Sequence, residues 1–376
     1  MTNAIFCVII GLRQKARACF LSEAVGKVPI KAEAKEFFNR PTRTDVAKMA
    51  GVSETTVSYV YSKKRRVSED LADRVINAAK ALNYYPDMVA SSLMSKQTNT
   101  IAVLVSDLTS PLQMSIIKAL QRAAIEKGYF VNACGGEKDF EAYINNFISR
   151  RVDAAYIAVK TNEIDESHIK KLLDYNIKVV INSARKIDDI RLCGIEMDLD
   201  FGIKIIIEHL RGLGHRKIVF LGCYDDAYVT DRRLPAFRKY MREFFSEGNP
   251  LVGIGEPPYE SGIEDGGRLM ARMLARTRDF TAVVCLNDLM ALGAIRVLQA
   301  NGINVPGDVS VAGIDNIEFS AFSFPALTTI DHKCYEMGET LFNMLYENIV
   351  TGRSGHRVLY PELIIRESTA YCKPEV

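Results

Sequence analysis

Pro41-Thr-Arg-Thr-Asp-Val-Ala-Lys-Met-Ala-Gly-Val-Ser-Glu-Thr-Thr-Val-Ser-Tyr-Val-Tyr61 reads as two short helices broken at Gly51-Val52-Ser53, the pattern of a helix-turn-helix. Thr42 with Asp45 three residues on is a capping-box signature for the first helix. Val46, Ala47 and Ala50 give that helix one apolar stripe, and Gly51 can take the positive φ needed to leave it. Ser53 can cap the second helix, where Val57, Val60 and Tyr61 face inward. Its opposite face carries Glu54, Thr55, Ser58 and Tyr59, all able to hydrogen-bond. A helix apolar on one side and small and polar on the other fits a major groove. A plain amphipathic helical pair with no ligand has the same pattern, so the residues that follow must decide.

Next come Lys63-Lys-Arg-Arg66 and a third helix opening at Val67-Ser-Glu-Asp-Leu71, with Leu71, Val75, Ala78 and Leu82 at helical spacing. Pro86 stops that helix at or before Tyr85, and a short segment from Asp87 to Ser95 follows with Val89, Ala90 and Leu93 on one side. This order resembles the N-terminal part of the LacI/GalR family of bacterial transcription regulators. The matching words are Asp45-Val-Ala-Lys, Ala50-Gly-Val-Ser, Thr56-Val-Ser, Val67-Ser, Leu82-Asn-Tyr and Pro86 with Val89-Ala90 and Leu93. The resemblance implies base reading by Glu54, Thr55 and Tyr59, and DNA-backbone contacts from Thr42, Ser53, Thr56, Ser58, Ser62 and Lys63. It also implies a minor-groove hinge built on Val89, Ala90 and Leu93. Tyr59, Tyr61-Ser62 and Asp87 depart from the family's usual residues, so the operator sequence is not a family average.

Charge supports a DNA-facing end. Residues 40–96 hold ten Lys/Arg against six Asp/Glu, in a chain whose formal net charge is +2 over 376 residues. Positive charge therefore gathers where phosphates would be met. The length calls for two or three domains, and 48% hydrophobic with 25% charged residues describes a soluble chain with an ample core. Eight scattered Cys show no C-x-x-C and no metal spacing, which reads as reduced buried thiols, a cytoplasmic location and no metal. Residues 1–39 fall outside the resemblance; their short apolar run Ile5–Leu12 cannot span a bilayer, and a disordered arm or a start placed too far upstream accounts for them.

From Ile101 the chain alternates buried-type strands with amphipathic helices, which predicts a parallel sheet covered on both faces. The predicted strands are Ile101–Ser106, Tyr129–Ala133, Ala154–Val159, Val179–Ile181, Ile218–Leu221, Ala282–Leu286 and Val309–Ala312. Ligands of open α/β sheets sit beyond strand carboxyl ends. Those positions hold Asp107, Asn182, the 223–233 loop with Tyr224 and Tyr228, Asn287 with Asp288, and Asp315 with Asn316. Carboxylates, amides and a guanidinium gathered there suit the hydroxyls of a sugar. Each alone is equally a cap or turn residue.

The resemblance continues over roughly 97–370, through Gly212-Leu-Gly-His-Arg-Lys-Ile, Asn287-Asp-Leu-Met-Ala-Leu-Gly-Ala294, Pro306-Gly-Asp-Val-Ser-Val and Pro325-Ala-Leu-Thr-Thr-Ile330. It implies a two-subdomain effector core like a periplasmic binding protein, with Arg233, Asn287 and Asp315 at effector-contact positions. Asn182-Ser-Ala-Arg185 and Ser110-Pro-Leu-Gln113 depart from the pattern of sugar-responsive members. The implied organisation is an extension at 1–39, a helix-turn-helix domain at 40–86 and a hinge and linker at 87–99. An N-subdomain of 100–197 plus 334–361 and a C-subdomain of 198–333 plus 362–376 complete it.

Enzymatic motifs are missing. Gly212-Leu-Gly214 precedes a strand instead of following one, so it cannot cradle a dinucleotide, and the five His are dispersed. The expectation is therefore a DNA-binding repressor with no enzymatic activity and no cofactor. Its partners would be a pseudo-palindromic double-stranded operator, a second copy of the chain and a small effector, in the first place a carbohydrate. Control by a protein partner or co-repressor is the alternative, and a solute-binding module without DNA function is a further one.

Overall fold

The computed structural model describes residues 40–62, 65–87, 97–135, 140–159, 164–182, 189–223, 231–255 and 261–373. The chain divides into two compact units, residues 1–91 and 92–376.

In the first unit three helices, α1 (Arg43–Ala50), α2 (Glu54–Ser62) and α3 (Glu69–Ala81), enclose a small core. That core is Val46, Ala47, Ala50, Val57, Val75, Ala78 and Ala79. Gly51 leaves α1 at φ 65, and an added Cβ there would meet Arg74 Nη2 at 2.9 Å. Arg74 uses that approach to donate to the Ala50 carbonyl at 2.6 Å, tying α3 to the turn. Glycine is thus needed twice, for its backbone and for its lack of a side chain.

The second unit holds two six-stranded sheets. The first runs β11-β5-β4-β3-β1-β2, built from β1 (Thr100–Val105), β2 (Phe130–Gly135), β3 (Ala154–Ala158), β4 (Lys178–Asn182), β5 (Cys193–Met197) and β11 (His356–Leu359). Helices α4 (Pro111–Glu126) and α12 (Cys334–Thr351) cover one face, and α5 (Phe140–Arg150) and α6 (Glu166–Asp174) the other. The second sheet runs β12-β10-β9-β8-β6-β7. Its strands are β6 (Ile218–Cys223), β7 (Val252–Gly255), β8 (Ala282–Cys285), β9 (Ser310–Asp315), β10 (Thr328–Asp331) and β12 (Glu362–Ile364). Helices α7 (Leu199–Gly212), α8 (Arg233–Phe245), α9 (Ile263–Arg276) and α10 (Asp288–Ala300) supply its layers, with the short α11 (Glu318–Phe322) between β9 and β10. The pairing is parallel except between β10 and β12.

The expected α/β architecture with an all-α helix-turn-helix end is what the chain forms. The β9 strand runs three residues past its expected end, because Gly313, Ile314 and Asp315 stay paired with Thr329, Ile330 and Asp331. Five strands were not among those expected. Among them, β5 alternates buried and half-buried residues around Gly194 and Glu196, and β7 reads Val-Gly-Ile-Gly, so neither shows an apolar run. The chain passes from the first sheet to the second between β5 and α7, returns after β10, and crosses again between β11 and β12.

Candidate functional site

The polar face of α2 is held in place by its own neighbours. Thr42 caps α1 in a full capping box, its hydroxyl donating to Asp45 Oδ2 at 2.6 Å, which draws the Asp45 carboxyl below its usual range. Ser53 Oγ accepts from the Thr56 backbone at 3.1 Å and shares a hydrogen bond with the Thr56 hydroxyl at 2.9 Å. Glu54 is tied to α1. It accepts from Thr44 Oγ1 at 2.7 Å and from Arg43 at 3.2 Å, and these bonds hold its carboxyl below the usual range. Thr55 and Ser62 are exposed and Ser58 and Tyr59 half-buried on the same helix. The Arg65 guanidinium lies 5.8 Å from the Tyr59 ring centroid, a cation–π contact that orients the ring and that spacing alone did not suggest. Lys63, Val89, Ala90 and Leu93 lie outside the described residues, as do Tyr224 and Tyr228.

In the core, the strand-end residues separate into two groups. Asp107 and Asn287 spend their side chains on a turn and a helix cap. Asp107 Oδ1 accepts from the Thr109 backbone and hydroxyl, each at 2.7 Å, in a turn. Asn287 caps α10 by accepting from Met290 N at 2.8 Å and donates to the Ser261 carbonyl at 2.8 Å. Asn182 closes β4. Its side chain lies beside the Tyr156 hydroxyl and partly offsets the strong upward push of burial there, though not in a geometry that makes a full hydrogen bond.

Arg233 and Asp315 belong to one cluster with two residues the sequence did not single out, Asp231 and His332. Arg233 grips Asp231 through Nε at 2.9 Å and Nη2 at 2.6 Å, and its Nη1 donates to the Leu286 carbonyl at 2.7 Å. Burial raises the Asp231 pKa, but the Arg233 charge and hydrogen bonds outweigh it and leave the carboxyl below its usual range. Asp315 ends β9 at φ 121, a backbone conformation that L residues rarely adopt, and Asn316 follows at φ 53. Burial and the neighbouring Asp288 push the Asp315 carboxyl well up. His332 Nε2 stands 3.5 Å from Asp315 Oδ1. Burial, then the Arg233 charge, holds that imidazole neutral with its pKa down at about 3.

Asp288, fully buried, anchors the floor. It accepts from Ser320 Oγ at 2.6 Å, Thr329 Oγ1 at 2.5 Å and Ile317 N at 3.0 Å, and burial still lifts its pKa to about 6. Four buried polar atoms of the described residues lack any hydrogen-bond partner: Gln113 Oε1, Tyr156 Oη, Asp315 Oδ1 and His332 Nε2. Buried polar groups are nearly always paired, so each of these atoms calls for a partner that the side chains around it do not supply. Sequence adjacency offered one signal, the Asp231-Arg-Arg233 run; nothing in the pattern pointed to His332.

Residues 42–87 match the family described as bacterial regulatory proteins, lacI family, and residues 207–369 match the periplasmic binding protein-like domain. The HTH-type transcriptional repressor PurR of Mannheimia succiniciproducens is 34% identical over 336 residues, covering 87% of this chain and 98% of that protein. PurR of Haemophilus influenzae is 35% identical over 345 residues with the same coverage. Among solved structures, a lac repressor dimer bound to operator and the anti-inducer ONPF matches with TM-score 0.75 and 27% identity, over 88% of this chain and 99% of that one. A transcriptional regulator CelR–cellobiose complex matches with TM-score 0.65 and 25% identity, over 88% and 100%. These relatives are repressors and regulators, not enzymes.

Proposed function

The chain belongs to the lacI family of bacterial regulatory proteins and is a DNA-binding transcriptional repressor, and from that premise we propose that its operator affinity is set by a small polar effector held at the Arg233–Asp315–His332 cluster. The observation that carries this reading is the pair of buried, unpartnered atoms on Asp315 and His332 beside a guanidinium. Carboxylate, imidazole and the backbone-anchored Arg233 offer hydrogen bonds in both directions, which suits a neutral, hydroxyl-rich ligand. A carbohydrate is therefore the first reading, and the cellobiose named in the CelR complex agrees with it. The name PurR, carried by the 34–35% identical relatives, favours a purine as the second. A melting screen of the full chain against sugars and purines separates them, because a ligand of the folded state raises its apparent stability. Failure of both classes would remove the reading.

At the DNA end α2 enters the major groove. Thr55 and Tyr59 read bases there, with Tyr59 steadied by Arg65. Thr42, Ser53, Thr56, Ser58, Ser62 and Lys63 serve the phosphates. Glu54 reaches a base only by releasing Arg43 and Thr44, so its first task is to clamp α2 to α1. The chain acts as a homodimer on a pseudo-palindromic site. Phe319, Phe322 and Phe324, 61%, 82% and 88% exposed around α11, are large apolar side chains of the kind that subunit contacts cover. Leu93, with Val89 and Ala90, wedges the minor groove from a hinge too short to be helical alone. Leu93→Ala weakens operator binding in a gel-shift titration without changing effector affinity; equal operator affinity removes the wedge.

A further inference from the structure

We propose that His332 is a specificity-determining residue of the effector cleft, and that with Asp315 it selects a ligand group that donates and accepts hydrogen bonds side by side. This rests on the cleft reading above and gives His332, which neither motif nor spacing marks, the part of choosing the ligand's chemistry.

The placement comes from the sheet. Strands β9 and β10 run parallel with Asp315 level with Asp331, so His332 leaves β10 one residue beyond the end of β9. The side chain is 8% exposed and Asp315 13%. Nε2 and Oδ1 face each other at 3.5 Å, and neither makes a hydrogen bond. The floor beneath them is already complete: Asp288 takes hydrogen bonds from Ser320, Thr329 and Ile317, and Asp231 is taken by Arg233. The two unpaired atoms are therefore not a share of a larger internal network. They stand at the carboxyl ends of β9 and β10, where the backbone takes φ 121 at Asp315 and φ 53 at Asn316, and unusual backbone of this kind gathers at ligand clamps.

The chemistry of the pair limits what fills it. A carboxyl pushed well up keeps its proton and donates through its O–H, and Nε2 of a neutral imidazole accepts in its Nδ1–H tautomer. One ligand edge must then receive a hydrogen from the Asp315 carboxyl and give one to Nε2. A sugar hydroxyl does both with a single oxygen. The adjacent N–H and C=O of a 6-oxopurine do it with two atoms. A group that only donates or only accepts leaves one buried atom unpaired, and a site built around a polar pair rejects ligands that cannot complete it.

The full chain is titrated by calorimetry with free pentoses and hexoses, cellobiose, hypoxanthine and guanine. A sugar hit or an oxopurine hit identifies which source supplies the shared edge. The probe that binds is then compared with analogues lacking single hydroxyls, or with unsubstituted purine. His332→Phe is expected to weaken the probe at least about tenfold, the scale of discrimination by one buried polar contact. His332→Gln, which keeps a side-chain acceptor, is expected to restore most of that loss. The analogue missing the selected group is expected to bind wild type as poorly as the variant binds the probe, with no further loss when the two are combined. If His332→Phe does not melt cooperatively, His332→Met carries the same expectation. A probe that binds wild type and His332→Phe equally, or losses that add, overturns the role of His332 while leaving the cleft reading standing. A panel with no binder overturns both.

Discussion

At the DNA-reading end Thr42, Ser53 and Glu54 find their partners within eleven residues of themselves; beside Asp315 and His332, side chains of Arg233 and Asp288 reach partners up to 53 residues away in the chain, and two atoms have none. Thr42 with Asp45, Ser53 with Thr56, and Glu54 with Thr44 and Arg43 form a set of short local bonds on an exposed surface. Arg233 with Leu286, and Asp288 with Ser320 and Thr329, join separate strand ends in the interior. The first arrangement leaves the reading face free for DNA because its internal needs are met cheaply and nearby. The second concentrates charge in the interior and leaves two buried atoms without a partner. Damage to one region should therefore differ from damage to the other in size and in kind.

The largest effect is expected at Arg233. Arg233→Ala strands the buried Asp231 carboxylate and the Leu286 carbonyl, and breaking a buried pair from one side costs about 3–5 kcal/mol. Denaturant unfolding of the core should show this, with part of the loss recovered when Asp231→Ala is added. A cost below about 1 kcal/mol would mean that the cleft is as loosely held as the DNA-facing surface.

Asp288 gives the next effect, through pH. Its folded pKa, raised to about 6 mainly by burial, exceeds the ordinary value of 3.8, so the folded state prefers the proton. The stability of wild type relative to Asp288→Asn is then greatest below pH 4 and falls as pH rises to about 6, by on the order of 2–3 kcal/mol. His332 acts in the opposite direction: held neutral down to about pH 3, it costs stability as pH drops below 6.5. The difference between wild type and variant isolates the Asp288 part. Parallel stability curves across pH 4–6 would show that its hydrogen bonds cancel its burial.

Smaller effects belong to the local region. Gly51→Ala places a Cβ at φ 65 against Arg74, for a loss of about 1–2 kcal/mol confined to the helix-turn-helix unit. Thr42→Ala removes one cap, for about 1 kcal/mol, seen as a modest drop in that unit's melting with the core's transition unchanged. A core transition that shifted with either would break the comparison.

The same contrast explains what the sequence disclosed. The turn at Gly51, the Thr42 cap and the three-helix core were legible because each depends on neighbours a few positions apart. The two-sheet core was legible through its apolar strands, and β5, β7 and β10–β12 were not, being short, Gly-bearing or alternating. Arg233 and Asp315 were picked out by their positions. Asp231 and His332 were not, because their significance depends on which strand ends the fold brings together. Asn287 and Asp107 occupy the expected strand ends and spend their side chains on a cap and a turn.

The most direct measurement is operator affinity of the full chain, by fluorescence anisotropy at fixed salt, with and without saturating amounts of the ligand that the melting screen selects. Coupling between the two regions predicts a change of at least about fivefold in affinity. Identical operator affinity with and without a bound ligand would contradict it.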